Sequence, residues 1–245
     1  MDLSNKVAVV TGASRGLGAG IAEEMATHGL RLGLCARAVP AIPAASQSTQ
    51  VLARSVDVTD EKALDLFATE VVNTLGPIDL WINNAGILEP VNALRKVRSQ
   101  DFKHHLDVNV LGVFHGSKIF ANHVRSRDRS GVLINISSGA ARSPYAGWSA
   151  YCAGKAAVDR MSECIDIEED DSGLIIYSVA PGIIDTDMQE LIRTMTADRF
   201  PLVEKFRNLK SEGAFTTADK VANAILDLAF NPSAARDRVS IDLRE

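Results

Sequence analysis

The sequence predicts an α/β protein, a single domain built on a doubly wound parallel sheet of about seven strands with helices on both faces. Three observations lead there. Short apolar runs alternate with longer stretches of helical period, the pattern of β–α–β units joined by right-handed crossovers. The runs are rich in Val, Ile and Leu throughout rather than at every second residue, as strands covered on both faces are. The 245 residues, 46% hydrophobic and 23% charged, carry no repeat, long linker or charge block that would mark a second domain, and a chain of this length can bury a sizeable core.

The elements follow in order. A first strand is expected at Val7–Thr11, then a glycine-rich turn and a helix whose inner face carries Leu17, Ile21, Met25 and His28. The second strand is Arg31–Ala36. Ala38–Gln50 holds two prolines and little helical pattern, and reads as a loop. After a third strand at Val51–Val56, Thr59-Asp60-Glu61-Lys62 is an N-cap-like opening to a helix striped with Leu64, Phe67, Val71 and Leu75. Further strands are expected at Ile78–Asn83, Val132–Ser137, Leu174–Ala180 and Val239–Leu243. Residues 185–213 form a long insertion before the last strand. Its apolar positions (Met188, Leu191, Ile192, Met195, Phe200, Leu202, Val203, Phe206) suit either a cover over a substrate pocket or one more surface helix pair.

Composition narrows the function. Lys and Arg number 26 against 31 Asp and Glu, a net charge of −5, which lacks the basic footprint of a nucleic-acid binder. No apolar run approaches the roughly 20 residues of a membrane-spanning helix, and MDLSNKVAVVTGAS has none of the features of a secretory signal. Cys35, Cys152 and Cys164 are an odd count without metal-like spacing, which suits a reducing compartment. A cytoplasmic protein is the expectation. His104, His105 and the other histidines lack a ligand pattern and read as helix-face residues. Cys152 has no partner histidine and reads as packing. Arg125–Arg129 and Glu168–Asp171 read as solvated helix ends.

The first strand runs into Thr11-Gly12-Ala13-Ser14-Arg15-Gly16-Leu17-Gly18 and then a helix. Glycines let backbone N–H groups approach a phosphate, and a helix N-terminus adds a positive dipole end. The spacing is GxxxGxG rather than GxGxxG, but its place after a first strand points to a dinucleotide and a Rossmann-type fold. A carboxylate about 20 residues on would bind a ribose 2′-OH. None occurs between Glu24 and Asp57, whereas Arg15 sits in the turn and Arg37 ends the second strand. Two guanidiniums and no acid suit a 2′-phosphate, so NADP(H) is expected.

Three more strands end on polar or small groups where such a sheet holds ligands: Asn83-Asn84-Ala85-Gly86, Asn135-Ile136-Ser137-Ser138 and Pro181-Gly182. Tyr151-Cys152-Ala153-Gly154-Lys155 then opens a helix, and residues i and i+4 share a face. An ammonium 4 Å from a phenol contributes about 4 kcal/mol at an effective dielectric of 20, about three pKa units, enough to bring a tyrosine towards neutrality. Trp148, three residues earlier, reads as a pocket residue.

TGASRGLG, NNAG, NISS, YCAGK and PG resemble, in order and spacing, the motifs of the short-chain dehydrogenase/reductase family. The segments around Gly147–Ala157 and Ala180–Gln189 look more narrowly like sepiapterin reductases and the diketone (benzil) reductases related to them. The resemblance implies that Tyr151 protonates a nascent alkoxide as a small carbonyl substrate accepts hydride, and that Lys155 holds the nicotinamide ribose and lowers the tyrosine pKa. Ser138 would polarise the carbonyl and Asn109 steady a proton-relay water. Asp57 and Val58 would contact the adenine, Asn84, Ala85 and Gly86 the adenosine side, and Pro181, Gly182, Ile184, Thr186 and Met188 the nicotinamide end. Gly182 also borders the substrate, and Asp242 matches an aspartate that anchors pterins. A homodimer or homotetramer is implied, through the helices around Asn109–Arg125 and Ser149–Glu168. Ala38–Gln50 and Gly139–Tyr145 depart from the pterin enzymes. An NADPH-dependent reductase of a small ketone or 1,2-diketone is the leading expectation. An alcohol dehydrogenase working oxidatively and a non-catalytic NADP(H) sensor are the alternatives.

Overall fold

The computed structural model describes residues 3–46, 50–127, 129–231 and 238–244. Its strands are β1 (Val7–Thr11), β2 (Arg31–Ala36), β3 (Val51–Ser55), β4 (Leu80–Asn83), β5 (Gly131–Ile136), β6 (Leu174–Ala180) and β7 (Ser240–Asp242). All pair in parallel, in the order β3-β2-β1-β4-β5-β6-β7. Every residue of β1, β4 and β5 is buried, which is why these runs do not alternate. The order changes direction between β1 and β4, so the crevice beyond their C-terminal ends is where a doubly wound sheet binds ligands.

Helices α1 (Gly16–Thr27) and α8 (Ala218–Phe230) cover one face, packing Ile21, Met25, Val221 and Ile225 on Val10, Leu32 and Leu34. On the other face α2 (Glu61–Leu75) and α4 (Gly112–Arg125) set Leu64, Phe67, Val71, Leu75 and Phe120 on Val9, Trp81 and Leu133. The expected α2 cap forms: the Asp60 carboxylate accepts from Ala63 N at 3.0 Å. His28 departs from the expected α1 stripe, since the helix ends at Thr27 and the ring lies outside, 3.1 Å from Asn223 Oδ1. In Ala38–Gln50 the described residues hold one short turn, fixed by Glu23 accepting from Ala44 and Ala45 N–H; residues 47–49 lie outside the described residues.

The charged segments lie at exposed helix ends as expected, and they also carry ion pairs. Arg129, exposed itself, reaches the buried Asp79 at 2.7 Å, and Asp79 also accepts from Val7 N at 3.0 Å. Arg125 joins the end of α4 to Glu169 and Asp171, at 2.7 and 2.8 Å; Asp128 lies outside the described residues. The 185–213 insertion folds as α6 (Asp187–Thr194) and α7 (Val203–Ser211). Ile192, Met195, Phe200, Val203 and Phe206 pack with Trp148 and Tyr151 into a third apolar cluster, while Leu202 stays partly exposed. Between β4 and α4, α3 (Ser99–Leu106) continues through one widened turn of π-helix, Asp107–Leu111. No helix among the described residues is long and apolar enough to cross a membrane.

Candidate active site

A cavity of about 1100 Å³ starts at the glycine turn and reaches α6. Gly12, Ser14, Arg15, Gly16, Leu17 and Gly18 line one end, with Arg37, Asp57 and Val58; Asn84–Glu89 follow; Ser138, Tyr151, Lys155, Met188 and Phe206 lie towards the other. Gly12 has φ +67°, in the left-handed region, and a Cβ there would stand 2.7 Å from Ala85 Cα, so this position needs glycine twice over. The turn is braced to β4. Thr11 Oγ1 accepts from Asn84 N and Ala85 N at 3.0 and 3.1 Å, and Asn84 Nδ2 donates to Thr11 O and Gly12 O at 2.9 and 3.2 Å. Asn84, expected on the adenosine side of a cofactor, thus spends its amide on holding the turn, with Ala85 and Gly86 on the lining beside it.

These residues fit a dinucleotide. The first turn of α1 carries no acidic side chain, so its N–H groups and dipole meet the cavity uncompensated. Arg37 lies exposed on the lining, and Arg15 pairs with Asp187 of α6 at 3.0 Å, both mostly exposed. Asp57 Oδ1 accepts from Thr59 N and Oγ1 at 2.9 and 2.8 Å, which ties down that carboxylate beside Val58.

At the far end Ser138 follows β5, and Tyr151 and Lys155 lie on the buried face of α5 (Ser149–Glu168). Lys155 Nζ donates to Ile136 O at 2.7 Å and stands 5.8 Å from the centre of the Tyr151 ring. Burial pushes Lys155 down to about 8. Burial also raises the Tyr151 phenol above its ordinary value, and a hydrogen bond with Ser138 pulls it part of the way back. The expected lowering of the tyrosine by Lys155 is therefore corrected: the ammonium is turned to the β5 carbonyl, and desolvation of the phenolate dominates.

Asn109 sits in the widened turn, fully buried. Its Oδ1 accepts from Ile87 N and its Nδ2 donates to Ile87 O, both at 2.8 Å. It clasps the chain leaving β4. His105, read from sequence as a helix-face residue, stands behind it. Asn109 Nδ2 is 2.9 Å from His105 Nε2, and His105 Nδ1 is 2.7 Å from Glu89 O. An amide can only donate to Nε2, so Nδ1 carries the proton. The ring meets Tyr151 edge-on with centroids 6.1 Å apart, and burial lowers its pKa. Gly154 admits this contact, since a Cβ there would lie 3.2 Å from Nε2. The four-residue spacing of His105 and Asn109 was the available signal.

A buried polar chain under the site locks α4 and α5 to the sheet. Trp81 Nε1 donates to Asn83 Oδ1 at 2.8 Å, Asn83 Nδ2 to Asn135 Oδ1 at 2.9 Å, and Asn135 Nδ2 to Ser162 Oγ at 2.9 Å. Asn83 and Asn135 are register partners on β4 and β5.

Pro181, Gly182, Ile184, Thr186 and Met188 all line the cavity, as does Trp148, whose ring stacks on Phe200 at 4.6 Å. Asp242 does not take its expected place against a substrate. Its carboxylate is buried between two guanidiniums, Arg142 at 2.7 Å and Arg244 at 2.6 Å, and Arg244 takes the position on the lining. Among the described residues no cluster of His, Cys, Asp or Glu could hold a metal ion. All three cysteines are free thiols, and burial pushes Cys35 up to about 12.

A switch-point crevice leading from a phosphate-binding turn to a buried phenol is the architecture of a dinucleotide-dependent oxidoreductase. Within that class the chain belongs to the short-chain dehydrogenase family, whose model, described as short chain dehydrogenase, matches residues 6–197; the family binds a nicotinamide cofactor. The chain is 30% identical over 229 residues to a benzil reductase ((S)-benzoin forming) of Bacillus cereus, covering 90% of this chain and 92% of that protein. It is 31% identical over 187 residues to an NADPH-dependent pterin aldehyde reductase of Arabidopsis thaliana, covering 75% and 76%. The crystal structure of the KRED1-Pglu enzyme matches with a TM-score of 0.85 and 28% identity, over 96% of this chain and 100% of that one.

Proposed function

We propose that the protein reduces a small ketone or 1,2-diketone to the alcohol with NADPH. The observation that carries this reading is the approach of Ser138, Tyr151 and Lys155 at an end of the cavity walled by Trp148, Met188, Leu191 and Phe206. When bound, the cofactor supplies a hydride to the carbonyl carbon. Ser138 donates to the carbonyl oxygen, and Tyr151 gives that oxygen its phenolic proton as charge develops on it. Hydride plus proton yields the alcohol, leaving oxidised cofactor and a tyrosinate to be reprotonated. A phenol kept protonated by burial suits the acid in this direction. Asn109 and His105 fix the chain after β4, and α6 with α7 excludes water from the reacting carbon.

Arg15 and Arg37, with no acid between Glu24 and Asp57, support NADPH over NADH, because a 2′-phosphate accepts from guanidinium and would be repelled by a carboxylate. The benzil reductase and pterin aldehyde reductase relatives support a carbonyl substrate bearing a planar group. The proposal extends to a cytoplasmic location and to a homodimer or homotetramer, the latter supported by the exposed Leu111, at the end of the widened turn, and Phe114, in the first turn of α4. The test is NADPH consumption, followed by absorbance, with a panel of diketones and ketones and NADH in parallel. Turnover with NADPH is expected. Cofactor binding without turnover of any carbonyl would identify a sensor instead.

A further inference from the structure

His105 is a buried titratable group that proton transfer to the carbonyl leaves unused. It is fully buried, and its two ring nitrogens complete a hydrogen-bond chain whose direction backbone fixes at both ends. At one end Ile87 N donates to Asn109 Oδ1 and Ile87 O accepts from Nδ2, both at 2.8 Å, which sets the amide one way round. Nδ2 then donates to His105 Nε2 at 2.9 Å, and His105 Nδ1 donates to Glu89 O at 2.7 Å. A backbone N–H cannot accept and a carbonyl cannot donate, so no member of the chain can reverse. The chain fastens residues 87 and 89, which line the cavity with Leu88 between them. Leu88 is itself buried in the apolar cluster that holds Trp148 and Tyr151.

Two glycines make room for this arrangement, and neither Gly86 nor Gly154 is needed for a positive φ. A Cβ at Gly86 would lie 3.3 Å from Asn109 Oδ1, and one at Gly154 3.2 Å from His105 Nε2. The same ring meets Tyr151 edge-on, so one imidazole touches the proton-donating phenol and holds the cavity lining. A second proton on that ring has no place. On Nε2 it would face the hydrogens of Asn109 Nδ2. Turning the amide over to offer Oδ1 would set Nδ2 against Ile87 N, donor against donor. Either way a buried donor loses its acceptor. Both hydrogen-bond partners of the ring are neutral. The titratable groups around it are Tyr151 and Lys155 on α5, Glu89 after β4, and His104, Asp101, Lys103 and Asp107 on its own stretch. Of these, Asp101 pairs with Arg98 at 2.6 Å and Asp107 with Lys103 at 2.7 Å.

We propose that His105 is a positioning residue for the reduction and acts only as the neutral ring protonated at Nδ1: it holds Asn109 and the 87–89 lining beside Tyr151, and a proton on Nε2 releases them and stops turnover. This rests on the carbonyl-reductase reading above and adds control of that site by pH. Burial lowers the pKa of the ring, the bond to Glu89 O raises it, and Lys155 and His104 lower it again. The net direction is down, so turnover is lost below the ordinary histidine value of 6.5.

The experiment follows kcat for 1-phenylpropane-1,2-dione with NADPH between about pH 5 and 8. Wild type loses turnover towards the acid end. His105→Leu leaves Asn109 Nδ2 short of an acceptor, turns over roughly tenfold or more slowly at neutral pH and loses the acid limb. His105→Gln offers a neutral amide that accepts from Asn109 and donates to Glu89 O; it regains part of that turnover and still lacks the limb. An acid limb with the wild-type midpoint in His105→Gln, or wild-type turnover in His105→Leu, overturns the proposal. Long-range ¹H–¹⁵N correlation spectra of the protein with NADP⁺ added decide the matter without turnover. His105 carries its proton on Nδ1 at neutral pH, and the Ile87 amide shifts with the same midpoint as the ring. A proton on Nε2 at neutral pH, or an Ile87 amide indifferent to the titration, overturns the proposal. Absence of turnover with every carbonyl at every pH, combined with an Ile87 amide that follows His105, removes the reductase reading and leaves the pH control of the 87–89 lining standing.

Discussion

Tyr151 and Lys155 show how folding sets the chemistry of single residues. Replacing Tyr151 by Phe removes the proton and little volume, so turnover is expected to fall roughly 10²- to 10⁴-fold with NADPH affinity unchanged by fluorescence titration. Near-normal turnover would mean another acid acts. Lys155 is charged where burial disfavours charge. Its displacement from 10.5 to about 8 corresponds to about 3 kcal/mol at neutral pH, offset in part, by about 1.5–3 kcal/mol, by loss of the charged group's bond to Ile136 O. Lys155→Met should therefore raise the melting temperature of the cofactor-free protein at pH 7 while abolishing reduction. The sign with pH follows from proton counts. Between about pH 8 and the ordinary lysine value the unfolded chain holds this proton and the folded one does not, so wild type gains stability over that interval and the variant's lead closes. A lead as large at pH 10 as at pH 7 would refute the account. Arg37→Ala is expected to raise KM for NADPH about tenfold or more and to change that for NADH little, since only one cofactor carries the 2′-phosphate; equal effects would leave the NADP preference without support.

At the level of elements, α6 and α7 are held to the site by rings. Phe200 is fully buried and stacks on Trp148 at 4.6 Å with planes 5° apart. Phe200→Ala should cost about 3–5 kcal/mol, measured by urea unfolding, and hydrogen exchange should show α6 and α7 opening before the sheet. Uniform protection loss across the molecule would mean that this pair has no opening of its own. The strands were legible because burial on both faces writes itself as unbroken Val, Ile and Leu runs, and α2 because its stripe and its Asp60 cap are local. The polar strand ends at Asn84, Ser138 and Pro181 were legible for the same reason. Partnerships across the chain were not. Nothing near Asp242 announces Arg142, a hundred residues away, and nothing near Asn84 says that its amide turns back to Thr11 and Gly12. The inward turn of Lys155 was equally hidden, because it depends on a carbonyl contributed by another element.

In the whole molecule the sheet separates two apolar layers, one under α1 and α8, the other under α2 and α4. Leu34→Ala in the first should cost about 2–5 kcal/mol and Phe120→Ala in the second about 3–5. Sharing no partners, the two should add to within about 0.5 kcal/mol in the double variant, with one unfolding transition; a large shortfall would show the layers collapsing as one. The site spans this scale too, since its groups come from β1, β4, β5, α5 and the widened turn at Asp107–Leu111. That turn has a consequence for how the protein can vary. A helical residue advances the chain by about 100°, so a wide turn is a spacer whose length is counted in whole residues. Exposed side chains along 99–125 can be exchanged one for another, but dropping a single residue inside 107–111 would swing α3 around the axis and pull Asn109 off Ile87. Through this stretch, descent with modification has letters to spend and no freedom in their number.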